Sequence, residues 1–207
     1  MLFLYRLMRQ SYRKTYVIGC FIIFLITSCT SSQSTDLVDF VNPYLGNISH
    51  LLVPTYPTVH LPNSMLRVYP ERADYTGDLL NGLPVAVTSH RGSSAFNLSV
   101  FQGDELELKP VIPYSYDREK ITPYDYFVYL DEQETSVYYA VSHQSGIYEL
   151  TFGHTDPVYL ILNSRRGELQ WDGKAFSGYQ QLQNNTRIFV YMEPDIQPQG
   201  ANDKAAS

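Results

Sequence analysis

Cysteine is almost missing from this 207-residue chain: Cys20 and Cys29 are the only two, and both lie near the N-terminus. Everything downstream therefore has no thiol, no disulfide and no cysteine-based zinc site, which excludes thiol catalysis and a disulfide-stapled scaffold. Positive charge is scarce as well. Fifteen Lys and Arg against 21 Asp and Glu give a net charge of −6, and the basic residues beyond the N-terminal segment are scattered. Phosphate binding needs a positive face, so nucleic acid is excluded as a partner. Beyond that segment, no stretch of about twelve residues keeps a helical apolar period. Gly-rich phosphate loops, a Gly-x-Ser-x-Gly elbow and internal repeats are absent too.

What the N-terminus does contain is a three-part leader. Arg6, Arg9, Arg13 and Lys14 precede an apolar run from Tyr16 to Ile26 that is too short to span a bilayer comfortably. Ile26-Thr27-Ser28-Cys29 then fits the lipoprotein cleavage pattern, in which the Cys is acylated and becomes the new first residue. The expectation is a signal peptide over 1–28, a linker over 29–35, one domain over 36–193 and a polar tail over 194–207. Lipidation at Cys29 would hold the protein to a membrane of the bacterial envelope, on the periplasmic or surface face. Cleavage leaves about 180 residues, which bury roughly 70% of their unfolded surface and sustain their own core.

Between Val41 and Phe101 the chain is unusually rich in proline. VNPYLG (41–46) and VPTYPTVHLPNSMLRVYP (53–70) carry Pro43, Pro54, Pro57, Pro62 and Pro70 ahead of GLPVAVTSHRGSSAFNLSVF (82–101), so no long helix passes through. The density of Leu51, Leu52, Val53, Tyr56, Val59 and Leu61 is too high for a solvated linker. Rigid apolar loops of this kind shape surfaces that touch something else, and these side chains are expected to lie on an exposed face awaiting a partner.

Beyond this block, short strands dominate. Tyr124, Tyr126, Val128 and Leu130 alternate with Asp125, Phe127, Tyr129 and Asp131, placing aromatics on both faces. Val137, Tyr139 and Val141 repeat the period, and Tyr148, Leu150 and Phe152 make another apolar face. Val158 to Leu162 suggests a buried strand, Asp172-Gly173 a type I′ hairpin between Glu168–Trp171 and Lys174–Phe176, and RIFVYM (187–192) a last strand. Eighteen Tyr and ten Phe suit sheet surfaces. The fold expected is an all-β antiparallel sandwich.

Several of these pieces resemble the N-terminal domain of glycoside hydrolase family 92, the exo-acting α-mannosidases. VNPYLG is similar to that family's VNPFIG-type opening, and Pro57, Pro62-Asn63-Ser64-Met65 and Pro70 to its FPGA…PFGMVQLSP segment. Gly82-Leu83 with Ser89-His90-Arg91-Gly92 resembles GFSHTHLSG, and YFVYL (126–130) and GIYELTF (146–152) resemble two of its strands. Asn63-Ser64 departs from Phe-Gly. The resemblance implies a supersandwich of the galactose-mutarotase type, continued in the family by further strands and a helical catalytic domain. It also implies that the catalytic acid, the base and the ligands of an essential Ca²⁺ belong to that helical domain, so this chain holds no cofactor.

Glycoside hydrolysis needs two positioned carboxyl groups, and Glu71, Asp74 and Asp78 are the acidic residues of the Pro-rich block. The plainer reading makes them solvated loop charges. His50, His60, His90 and Arg91 suit a sugar-facing edge because imidazole and guanidinium donors match hydroxyls. Tyr56, Tyr69 and Tyr75 are candidates to stack on a pyranose ring. No pair of these His has metal-ligand spacing. Asn47, Asn97 and Asn184 head N-x-Ser/Thr triplets, which behind a bacterial leader are chance. The leading expectation is a domain contacting mannose-containing glycan and a helical catalytic partner, inactive alone. A free-standing glycan-binding lipoprotein and a structural envelope lipoprotein are the competing classes.

Overall fold

The computed structural model describes residues 36–45, 56–72, 77–88, 94–196 and 198–200. Cys29, His50, His90, Arg91, Asp74 and Tyr75 lie outside the described residues. The chain divides into two compact units, Met1–Leu37 and Val38–Ser207, and the account below is of the second.

Twelve strands follow in order, with 3-10 turns as the only helical elements among the described residues. The first four are β1 (Leu79–Asn81), β2 (Ala86–Val87), β3 (Ser94–Ala95) and β4 (Asn97–Gln102). Next come β5 (Pro113–Ile121), β6 (Asp125–Leu130), β7 (Thr135–Val141) and β8 (Gly146–Phe152). The last are β9 (Val158–Asn163), β10 (Gly167–Trp171), β11 (Phe176–Gln181) and β12 (Arg187–Met192). All pairings are antiparallel: a five-stranded sheet β1-β5-β6-β7-β8, a three-stranded sheet β10-β11-β12, and the pairs β4-β9 and β2-β3.

Period-2 alternation decides which face is the core. Tyr126, Val128 and Leu130 of β6 are fully buried, and the register sets them beside Tyr139, Val137 and Thr135 of β7. Leu80, Tyr114, Leu98 and Val100 close this core from β1, β5 and β4. The two layers are tied by polar bonds as well as packing. Tyr114 Oη donates to the Val100 carbonyl at 2.7 Å and accepts from its N–H at 2.8 Å. Gln102 of β4 bonds the Gln133 carbonyl and the Thr135 hydroxyl, at 2.6 and 3.1 Å. Such pairing is what makes buried amides tolerable.

Three expectations are corrected. Val59 of the Pro-rich block is not an exposed docking residue: it is 1% exposed, bridges Val68 and belongs to the core. The block is inserted into the sandwich here, because its paired backbone lets two valines face inward. The Val158–Leu162 run lies in β9, but Val158 and Leu160 are 42% and 37% exposed, so one face of the strand is open where burial was expected. The Asp172-Gly173 turn is a four-residue loop, with Trp171 opposite Phe176. Asp172 Oδ1 accepts from the N–H groups of Lys174 and Ala175, both at 2.8 Å, which makes an Asx turn with Gly173 alone at positive φ. A type I′ turn needs two such residues.

Strand β5 was not legible as a strand. Its middle, Asp117-Arg118-Glu119-Lys120, is wholly charged, and it carries a bulge. Register passes from Asp117↔Tyr129 to Lys120↔Phe127, so Arg118 and Glu119 together oppose Val128. Arg118 takes φ 55° to allow this. Bulges re-aim side chains, and this one sends Glu119 inward.

Candidate functional site

The described part of the Pro-rich block is held at three places, the first and third against the strands and the second within the block itself. At the first, His60 donates its N–H to the Pro123 carbonyl at 2.9 Å, and its Nε2 lies 3.2 Å from the Ser64 carbonyl. The ring is exposed, so it closes its own turn while remaining accessible. Asn63 supplies the positive φ of that turn, 57°, a conformation that Asn tolerates well. Ser64 Oγ sits within 2.9–3.2 Å of the carbonyls of Leu66, Ser142 and His143. Met65 N–H adds a bond to the His143 carbonyl at 2.8 Å. The Asn63-Ser64 departure thus has a local role: it anchors the turn to the β7–β8 connection.

The second place is the aromatic pair. Tyr56 stacks on Tyr69 with ring centroids 4.2 Å apart and planes 5° from parallel. Tyr69 is buried, 3% exposed, so the expectation that it offers a face to a sugar is corrected. Tyr56 is half-buried, one face committed to Tyr69.

The third place gathers charge. Glu71 and Arg165 form an ion pair in which the carboxylate is largely buried, 15% exposed. Glu71 is therefore not the solvated loop charge expected of it; Asp78 is exposed. Next to it in sequence, Arg72 pairs with Glu119 at 6% and 11% exposure. Glu119 also accepts from Tyr44 and Tyr126 hydroxyls, each at 3.3 Å, and the Arg72 guanidinium lies 5.0 Å over the Tyr116 ring. Burial would lower the Arg72 pKa, but the hydrogen bond and charge of Glu119 raise it overall. Burial, then Glu119, push the Tyr44 hydroxyl above its ordinary range, and Tyr126 rises for the same two leading reasons.

This Arg72–Glu119 centre was missed by sequence reasoning. Tyr44 comes from the VNPYLG opening, Arg72 from the end of the Pro-rich block and Glu119 from the bulge in β5. Pairing across 47 residues leaves no local signal; the charged run inside a strand-length segment was the one available hint.

Chemically, the described part of the block offers exposed imidazole and half-exposed phenol groups on a rigid base. The inner carboxylates, Glu71 of the block and Glu119 of β5, are each occupied by an arginine. Among the described residues no three His, Cys, Asp or Glu side chains come together as a metal cage. Asn97 is 4% exposed and its amide donates to the Asn81 carbonyl at 2.6 Å, which makes it inaccessible to modification.

Comparison with known proteins follows this geometry. Residues 40–201 match the glycosyl hydrolase family 92 N-terminal domain. Two solved structures of the family GH92 alpha-mannosidase from Bacteroides thetaiotaomicron share the fold. One superposes with a TM-score of 0.56 at 18% identity, over 70% of this chain and 24% of that one. The other, a complex with mannoimidazole, gives 0.54 at 18% identity, over 70% and 23%. The chain thus spans about a quarter of the length of these relatives. No curated protein sequence matches.

Proposed function

The chain belongs to glycosyl hydrolase family 92 through its N-terminal domain, and from that premise we propose that it is a glycan-contacting scaffold which does not catalyse hydrolysis by itself. Its partner in this reading is a helical catalytic domain that supplies the acid, the base and Ca²⁺. Mannose-containing glycan is the ligand class, the match to an alpha-mannosidase being its support. His60 and Tyr56 form the described part of the sugar-facing edge, with His50, His90 and Arg91 assigned to it from sequence. The observation that carries the non-catalytic reading is the engagement of Glu71 by Arg165 and of Glu119 by Arg72. A glycosidase acid must reach the leaving oxygen of its substrate, whereas both of these carboxylates are already held by an arginine of this chain.

The test is turnover of aryl α-mannosides by the purified chain with Ca²⁺ present. No release above background is expected. Hydrolysis that disappears in Glu71→Gln or Asp78→Asn would place chemistry in the Pro-rich block and end this reading. We also propose that Cys29 is acylated, on the support of the leader's charged, apolar and cleavage segments. Radiolabelled palmitate should mark the wild type and not Cys29→Ala; equal labelling rules the anchor out.

A further inference from the structure

A solvated face of an antiparallel sheet is ordinarily polar. The outward face of the five-stranded sheet sets aromatic side chains among its polar ones. With Tyr126, Val128 and Leu130 turned to the core, alternation sends Asp125, Phe127 and Tyr129 outward. Register then aligns Lys120, Phe127, Tyr138 and Glu149 in one cross-strand row, and Tyr129, Ser136 and Thr151 in the next. Tyr138 is 38% exposed, and its hydroxyl donates to Asp125 Oδ2 at 3.0 Å, which fixes the ring. The Arg118 guanidinium lies 5.5 Å over the Tyr129 ring. A groove of about 310 Å³ runs between Phe127, Tyr138 and Glu149, floored by Ser136 and Thr151. A second hollow of about 250 Å³ is lined by Lys120, Tyr124 and Asp39, and Lys120 is the cross-strand neighbour of Phe127.

We propose that this face is a second glycan-binding groove, separate from the Pro-rich edge, which seats adjacent pyranose units of a neutral oligosaccharide. The row has the chemistry of such a ring. Phe127 and Tyr138 offer a flat apolar platform for the C–H face, flanked by an ammonium donor on one side and a carboxylate acceptor on the other. Pyranose hydroxyls both donate and accept, so they satisfy Lys120 and Glu149 together. A few placed polar groups around aromatic walls are the usual composition of a small-ligand site. A helix or sheet docked on the same face would bury Lys120 and Glu149 with no matched partner, which is costly. Asp125 and Glu149 stand beside Lys120 and Arg118, so neither sign of charge dominates the face and a neutral glycan suits it best.

The full chain is run by affinity electrophoresis in yeast mannan and titrated with α-mannotriose. Wild-type retardation is expected. Tyr138→Ala and Glu149→Gln, both at exposed positions, should each weaken binding, the first by about tenfold or more, with unchanged melting. Tyr138→Phe keeps the platform and should retain most affinity. Tyr56→Ala, measured alongside, separates the two sites. Loss confined to Tyr56→Ala would overturn the sheet-face groove while leaving the Pro-rich edge standing. Wild-type binding that ignores Tyr138→Ala and Glu149→Gln, or no binding to mannan at all, would overturn it as well.

Discussion

Single side chains carry more of this structure than their positions in sequence suggest. Removing one partner of a buried ion pair leaves an uncompensated charge. Glu119→Ala should therefore lower stability by about 3–5 kcal/mol in urea denaturation, and it also strands the Tyr44 and Tyr126 hydroxyls. Arg72→Met combined with Glu119→Leu should cost far less than either change alone; equal costs would deny the pairing its role. Gly82 is a second sensitive point. Its φ is +85°, and an added Cβ would stand 2.4 Å from the Asn97 side-chain oxygen. Gly82→Ala is expected to cost about 1–3 kcal/mol from backbone strain alone, read as a lowered melting midpoint.

The buried tyrosines set a pH dependence at the same scale. Burial pushes the Tyr114 hydroxyl up to about 12 and raises Tyr126, Tyr139 and Tyr148 above the ordinary phenol value as well. Folded values above the unfolded value, near 10, mean that the unfolded chain loses these protons first. Stability from these groups is whole below about pH 10 and falls as pH rises through the folded values. Tyr114 alone accounts for about 2 kcal/mol of that loss by pH 12. Denaturation midpoints should stay level from pH 8 to 9 and drop steeply between 10 and 12. A level profile to pH 12 would contradict the burial of these hydroxyls.

Among the elements, β9 and β12 stand out for what leaves them uncovered. Phe189 and Tyr191 of β12 are 72% and 63% exposed, and Val158 and Leu160 of β9 are also open. An unpaired strand edge with apolar side chains is a template for association. Leu160→Lys, on the open strand, should change stability by no more than about 0.5 kcal/mol while reducing self-association in light scattering. Marked destabilisation instead would mean that β9 is covered in solution. Sequence periodicity located β6, β7 and β8 because each turns alternate apolar side chains toward the core. It missed β5 because a bulge and a charged run break the period. It misjudged β9 because an unbroken apolar run looks the same whether or not a second layer covers it.

At the scale of the whole molecule, the all-β antiparallel architecture and the family were legible, because both rest on ordered local motifs from VNPYLG to GIYELTF. The Arg72–Glu119 centre and the insertion of Val59 into the core were not, since each depends on contacts between distant segments. The outward aromatics of β6 were visible in the sequence, but their alignment with Lys120, Tyr138 and Glu149 required the register. Together these features describe a β domain that keeps Glu71 and Glu119 in ion pairs and, in the function proposed above, presents its surfaces to glycan. The most direct test is calorimetric titration of yeast mannan into the full chain with Ca²⁺ present, followed by assay of the same sample for free mannose. The account predicts a saturable heat and no mannose. Released mannose, or the lack of any saturable heat, would contradict it.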